Sequence, residues 1–473
     1  MALTKPVDIK KQSILKRIVK WVQNFFKKDC CKVLIPVVAL SLFNHKVFAQ
    51  ADTIAKPQVM MDNMAMMPMT SSFSLNLPMS RDGSGTSWQP DANPMAMYMI
   101  MKKNTMIMFH GAFFLRYTSQ DVTNESNRGG SQFDAPDWMM FMLIHKLSDK
   151  DLISFNSMFS LDYFTENGNA GYPLLFQTGE TANGIPLVDR QHPHNLFSEL
   201  AVNYTHSFTK DFDANIYIGY PGEPALGPEV FMHRLSAMDD PDAPIGHHWQ
   251  DATHITFGVA TIGFRYKIAK LEVSYFNGSE PSEQNRLGFD KPQFNCYSYR
   301  LSVNPNDNFS LQFSQGYLKS PEALEPNINV VRTTASIMHT KPFGHKNFIA
   351  SSLVWGMNQN SNNKTLQSFL AESDLHTKPI TVYMRYEFVQ KDADELQLLE
   401  QFDNTDPTFN INAFTLGVNK VLLTEFRTDL SLGVQGTIDI PDNSLIPIYG
   451  NHPLSAEIYL KLSPALGHSS SLK

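Results

Sequence analysis

The chain is poor in cysteine: it has three, and two of them, Cys30 and Cys31, lie before an apolar run in the first fifty residues. Cleavage after that run would leave Cys296 alone, so no intramolecular disulfide could form even in an oxidising compartment. Cys296 alternates with tyrosines and reads as a packed thiol rather than a reactive one. Long apolar runs are also missing. The one near the N-terminus, Val33 to Phe43, is too short to cross a bilayer as a helix, and nothing after Ala49 approaches the necessary ~18 residues. No helical period persists beyond two turns, except over Asp392 to Glu400, an acidic loop. There is no Gly-x-Ser-x-Gly, no phosphate-cradling loop and no His-Glu-x-x-His, and Glu199 and Glu223 have nothing to single them out as general acids or bases. The expectation is a protein that is not an enzyme.

The N-terminus reads as an address. A basic segment, the short apolar run and Ala49 at a small-residue position make residues 1–49 a secretory signal peptide. The cysteines precede the apolar run, which excludes a lipid anchor there. The whole chain carries 39 Lys and Arg against 46 Asp and Glu; residues 1–49 hold ten of the former and two of the latter, leaving 29 against 44. That acidic balance excludes nucleic acid as a partner and suits a surface that tolerates cations.

What is abundant is period-two alternation. In Thr105 to Tyr117, Ile107, Phe109, Phe113, Leu115 and Tyr117 share one face, and Met106, Met108, His110, Ala112 and Arg116 the other. Leu152 to Phe164, Tyr297 to Val303, Phe309 to Tyr317 and Ile380 to Phe388 repeat the pattern, with turn clusters such as Asn306-Asp307-Asn308, Asn358 to Asn363 and Pro441-Asp442-Asn443 between the runs. About sixteen such runs, polar on one face and aromatic or aliphatic on the other, predict an all-β, antiparallel transmembrane barrel over 91–473, with outer-membrane lipid as its solvent. The alternative all-β form is a soluble sandwich or propeller. One feature departs from the usual barrel: the chain ends Ser470-Ser471-Leu472-Lys473 rather than on an aromatic residue, and its last strand, near Ala456 to Leu462, stops short. Residues 50–90, rich in Met, Ser, Asn, Asp and Pro, read as a flexible arm.

Two side-chain types carry the candidate chemistry. Seven of fifteen histidines fall between His192 and His254. His192-Pro193-His194 holds two imidazoles on extended chain, and Gly246-His247-His248-Trp249-Gln250-Asp251-Ala252-Thr253-His254 adds three, with Asp251 placed to ligate or to hold a ring by its other nitrogen. His233 lies between them, in a Pro- and Gly-rich stretch that reads as a long, ordered loop. Imidazole suits late first-row metals, so His192, His194, His233, His247, His248, Asp251 and His254 are candidate ligands. Methionine is the second type: 23 in all, 13 of them between Met60 and Met108. Thioether sulfur prefers Cu(I). Met106, Met108 and His110 share the strand face inferred to line the lumen and complete the candidate set. Copper is the expected ion, with zinc as the alternative.

The segments Asp189-Arg190-Gln191-His192-Pro193-His194 and Gly222-Glu223-Pro224-Ala225-Leu226-Gly227-Pro228 through His233-Arg234 to His254 resemble an uncharacterised family of bacterial outer-membrane proteins whose members tend to occur beside copper and heavy-metal efflux systems. The resemblance covers about 65 residues. It implies an envelope location, an association with metals and efflux components as partners; it supplies no ligand. Three functions follow in order: a barrel that binds or passes copper in metal handling or resistance, a non-metal porin or scaffold plugged by the His-rich loop, and a metal-dependent hydrolase on a β scaffold.

Overall fold

In the computed structural model, residues 69–344 and 346–466 are described. The expected signal peptide, residues 50–68 of the arm and the last seven residues lie outside them.

Alternation along each strand decides the architecture. Val259–Tyr266 and Ala269–Phe276 bury every second residue without interruption. The buried set is polar and points inward, as with Thr261, Arg265, Lys270, Glu272 and Ser274. The outward set is apolar: Ile262, Phe264, Leu271 and Val273 are each about half exposed. Leaving such side chains in water would forgo ~1.5–3 kcal/mol apiece. Dozens of them in one band require a hydrocarbon solvent, so the barrel spans a membrane.

The sheet closes on itself. Eighteen paired strands, from Tyr98–Lys102 to Leu454–Pro464, occupy sixteen positions. Ser131–Asp134 runs on into Asp137–Lys146 along the same flank of Thr105–Ser119. On the other flank, Leu454–Pro464 pairs with the upper half of that strand, Leu460 opposite Leu115. Tyr98–Lys102 pairs with its lower half, Ile100 opposite Ile107. The short C-terminal strand is thus completed by a segment from the other end of the sequence, which accounts for its early stop.

Turns at one end are brief, as at 210–211, 267–268 and 307–308, where Asn308 N–H donates to Asn306 Oδ1 at 2.9 Å. Connections at the other end are mostly long, including 160–196, 220–258 and 277–295. Short turns face the periplasm and long loops the exterior in barrels of this kind. The location is the outer membrane.

The lumen is filled. Nearly all of 220–258 is buried, and ion pairs fasten it to the wall: Arg234 to Glu372 at 2.7 Å, Asp242 to Arg116 at 2.7 Å, Asp240 to Arg385 at 3.1 Å, and Asp239 to Lys461 at 2.7 Å. Buried pairs contribute little net stability but penalise any other seating of the loop. Residues 69–90 correct the reading of 50–90 as a flexible arm: they lie inside this unit and are packed. Phe73 and Trp88 are buried, Ser72 O accepts from Asn203 Nδ2 at 2.9 Å, and Lys270 Nζ lies 5.0 Å from the Trp88 ring centre. Their polar composition matches a polar lumen as well as it matches solvent.

Candidate metal centre in the lumen

The local chain places five imidazoles together. His192 and His194 follow the hairpin Tyr172–Ala182/Ile185–Gln191 at the exterior end, and Pro193 keeps the link extended. His247 and His248 open a single helical turn, His247–Gln250, and His254 ends the 3₁₀ turn Ala252–His254. The His247–Gln250 turn packs on the wall at Gly356, where a Cβ would meet the Trp249 carbonyl oxygen at 2.2 Å. Ring centres lie 5.9 Å apart for His192 and His248, 5.4 Å for His247 and His248, 5.2 Å for His247 and His254, and 5.4 Å for His194 and His254. One ligand atom from each of His192, His247 and His248 lies within 4.8 Å of the other two. A tetrahedral ion with bonds near 2.0 Å would set nitrogens about 3.3 Å apart, a small side-chain adjustment away.

The outer partners orient these rings. His194 Nδ1 is 2.7 Å from Asp162, His248 Nδ1 is 3.2 Å from Glu280, His192 Nδ1 is 3.3 Å from Glu180, and His247 Nδ1 pairs with Asp251. His254 Nδ1 is 3.0 Å from the Asp251 carbonyl oxygen. An acceptor on Nδ1 fixes the tautomer that leaves the Nε2 lone pair free. The Nε2 atoms of His194, His248 and His254 are buried with no hydrogen-bond partner. Asp251 is therefore an orienting group, held also by Arg234 Nη1 at 2.8 Å. Burial, then the neighbouring imidazoles, push His192 and His254 well below the usual histidine range. Burial pushes His247 down as well, against the pull of Asp251. Burial alone would raise Asp251, but His247 and Arg234 outweigh it and hold its carboxyl below the usual range. Neutral imidazoles are the form that ligates metal. Gly179, at φ +111°, admits the His248 ring: a Cβ there would sit 2.0 Å from His248 Cε1.

The remaining candidates gather elsewhere. His233 faces His110 with ring centres 5.6 Å apart, and Met106 and Met108 are fully buried on the inward face beside His110. This second group sits toward the periplasmic end. Sequence reasoning missed Asp162, Glu180 and Glu280, which no local pattern marks. It also missed Met140 and Met142, whose signal was readable in the alternation of Trp138, Met140, Met142 and Ile144. A third group, Asp239, Asp374 and His376, also brings ligand atoms within 4.8 Å, with Asp239 already paired to Lys461.

No protein-family model and no curated protein matches the sequence. Among solved structures, the chain is similar to an anion-selective porin from Comamonas acidovorans, at 10% identity over 76% of this chain and 99% of that one, TM-score 0.43. It is also similar to Salmonella typhi OmpF in complex with daunomycin, at 8% identity over 77% and 99%, TM-score 0.47. A loop-deletion form of OmpT, an outer membrane protein of Vibrio cholerae, aligns at 7% identity over 76% and 99%, TM-score 0.43. The class is set by the closed strand pairing and the apolar outer band: an outer-membrane β-barrel with a folded plug.

Proposed function

We propose that this barrel binds a late first-row transition ion, copper first and zinc as its competitor, at the lumenal histidine cluster, and serves metal handling at the outer membrane. One observation carries the reading: five buried imidazoles, each with an oxygen on Nδ1, converge, and three of their Nε2 atoms have no partner. Three orphaned ring nitrogens gathered in one cluster are donors that an ion would satisfy, each otherwise costing ~1–3 kcal/mol to bury. His192, His247 and His248 would hold the ion, with His194 and His254 beside them. Efflux components of the envelope would be the partners that receive or deliver it.

The test is metal content of the mature protein purified from outer membranes, beside a His192→Gln/His247→Gln/His248→Gln variant whose fold is checked by heat-modifiable migration. Stoichiometric Cu(II) or Zn(II) in the wild type, lost in the variant, supports the reading. A folded wild type that takes up neither ion sinks it. The second reading, a plugged porin without metal, draws on the ion pairs that seat the 220–258 loop. It predicts conductance in planar bilayers that neither chelators nor the triple variant change.

A further inference from the structure

Below the histidine cluster the lumen opens into a chamber of different composition. A cavity of about 180 Å³ is lined there by Met79, Met95, Met97, Met108, Met140 and Met142. Met232 closes it from the plug, and His110 and His233 project into it. The same cavity reaches His192 and His194, so the two groups share one continuous space.

Packing alone does not account for the composition. The buried cluster around the chamber contains seven methionines and two aliphatic residues, Ile144 and Leu152. The two other large buried clusters, one around Trp249 and Tyr449 and one around Tyr217 and Phe276, contain no methionine. Those two cores are built almost wholly from aliphatic and aromatic residues, so among the described residues buried methionine is concentrated in one place. The concentration comes from four separate parts of the chain: the segment 79–101, strand Thr105–Ser119, strand Asp137–Lys146, and strand Asp151–Phe159 with Met158. Register brings them into line, Met108 opposite Met142 and His110 opposite Met140.

The polar atoms in the chamber point to a ligand. His233 Nε2 is 3.4 Å from Met158 Sδ, and His110 Nε2 is buried without a partner. Three of the carboxylates that reach the cavity are committed. Asp82 accepts from Ser71 and Ser72, Asp162 holds His194, and Asp240 pairs with Arg385; Asp137 and Glu166 line the part of the cavity beside Asp162, each with one buried oxygen without a partner. Thioethers in this number favour a soft monovalent cation over a divalent one.

We propose that this methionine chamber is a second metal site, specific for Cu(I), set below the histidine cluster on one continuous path through the plug. The site stands on its own donors and does not require that the histidine cluster bind metal. Ag(I), a redox-inert ion of the same charge and softness, is the probe. The full mature protein in detergent is titrated with Ag(I), and with Cu(I) against a colorimetric Cu(I) chelator. The comparison is a Met108→Leu/Met140→Leu/Met142→Leu variant, which keeps volume and apolarity, and separately a His110→Gln/His233→Gln variant. The methionines at 60–67 are present in all three proteins, so differences between them read the chamber.

The expected result is loss of the tightest Ag(I) equivalent in the leucine variant, an affinity drop of at least about 100-fold, beyond the 10–100-fold of outer-partner losses. Copper X-ray absorption should show sulfur scattering in the wild type that falls in that variant. Zn(II) or Cu(II) uptake at the histidines should be unchanged in it. Conversely, His192→Gln/His247→Gln/His248→Gln should retain the tight Ag(I) equivalent. A leucine variant that binds Ag(I) as the wild type does overturns the chamber while leaving the histidine site intact. A wild type that takes Ag(I) but no divalent ion overturns the histidine site and leaves the chamber.

Discussion

The two ends of the lumen are built from opposite kinds of donor. At the exterior end each imidazole is backed by an oxygen, from Asp162, Glu180, Glu280 or Asp251, and those carboxylates would balance a divalent charge. At the periplasmic end the donors are thioethers and two imidazoles with no carboxylate on either ring. One loop supplies both: His233 turns to the methionines, while Arg234 turns to Asp251, which holds His247. Adjacent residues therefore face two donor groups of different hardness. The lesson is that the oxygen partners, more than the number of histidines, separate the two groups, and under the proposals made above they would decide which ion each group takes.

The largest break in that comparison should come at Arg234. Arg234→Met leaves Glu372 and Asp251 without the guanidinium that bridges them at 2.7 and 2.8 Å. Removing one member of a buried ion pair costs about 3–5 kcal/mol. The expected outcome is a lower urea midpoint in detergent, loss of divalent binding through the freed Asp251, and raised bilayer conductance as the plug loosens. Unchanged conductance and midpoint would mean that the plug does not depend on this bridge.

Acid should act next, on both ends. His192, His254 and His247 in the upper group and His233 in the lower one have folded values below their unfolded one. Below the unfolded histidine pKa of ~6.5 the unfolded chain takes up protons that the folded one refuses, so stability is complete above ~6.5 and is lost as pH falls. For His233 the window runs from ~6.5 down to about 3. Each histidine contributes up to ~1.4 kcal/mol per pH unit inside its window. Denaturant midpoints of the metal-free protein should fall between pH 6.5 and 5, and saturating Zn(II) should hold them up only if the upper imidazoles ligate it. A flat profile without metal would show that these rings titrate normally.

How much of this was legible follows from the range of each signal. Alternation is local, so the strands and their inward faces could be read directly, including Met106, Met108 and His110. The upper cluster was half legible, because His247, His248 and His254 share one short segment and His192 and His194 another. Their orienting carboxylates come from Asp162, Glu180 and Glu280, far apart in sequence and joined only by the hairpin and loop packing. The methionine chamber was hidden for the same reason: Met108 meets Met142 only through strand register. The segment 69–90 misled because a polar lumen tolerates the same Ser-rich composition that a solvated arm does; its anchors, such as Asn203 Nδ2 donating to the Ser72 carbonyl at 2.9 Å, are tertiary.

A more selective perturbation reaches only the upper site. Gly179→Ala places a methyl group on the His248 ring and forces alanine to φ +111°. Strain of that kind costs about 1–3 kcal/mol, and displacement of His248 should weaken Zn(II) or Cu(II) by 10–100-fold, the scale of a lost orienting contact. Asp162→Asn, which alters the partner of His194 Nδ1 without a steric change, should give a weaker effect of the same sign. Isothermal titration with each divalent ion measures both, and Ag(I) affinity should not move. A fall in Ag(I) binding in either variant would mean that the two ends act as one site.

The smallest expected effect is also the sharpest test of why methionine is there. Leucine has nearly the same volume and no sulfur, and volume-conserving swaps of this kind cost under about 1.5 kcal/mol. If the chamber methionines are filler, then Met108→Leu, Met140→Leu and Met142→Leu should change neither stability nor any binding. If they are donors, stability should stay within that bound, or rise slightly because leucine is less flexible, while Ag(I) affinity collapses. A large loss of stability would indicate a third role, in which the thioethers' flexibility is itself what lets His110 and His233 fit against Trp138, whose ring centre lies 4.5 Å from that of His233. Measuring the denaturant midpoint and the Ag(I) isotherm on the same preparations separates the three roles, because each predicts a different pair of results.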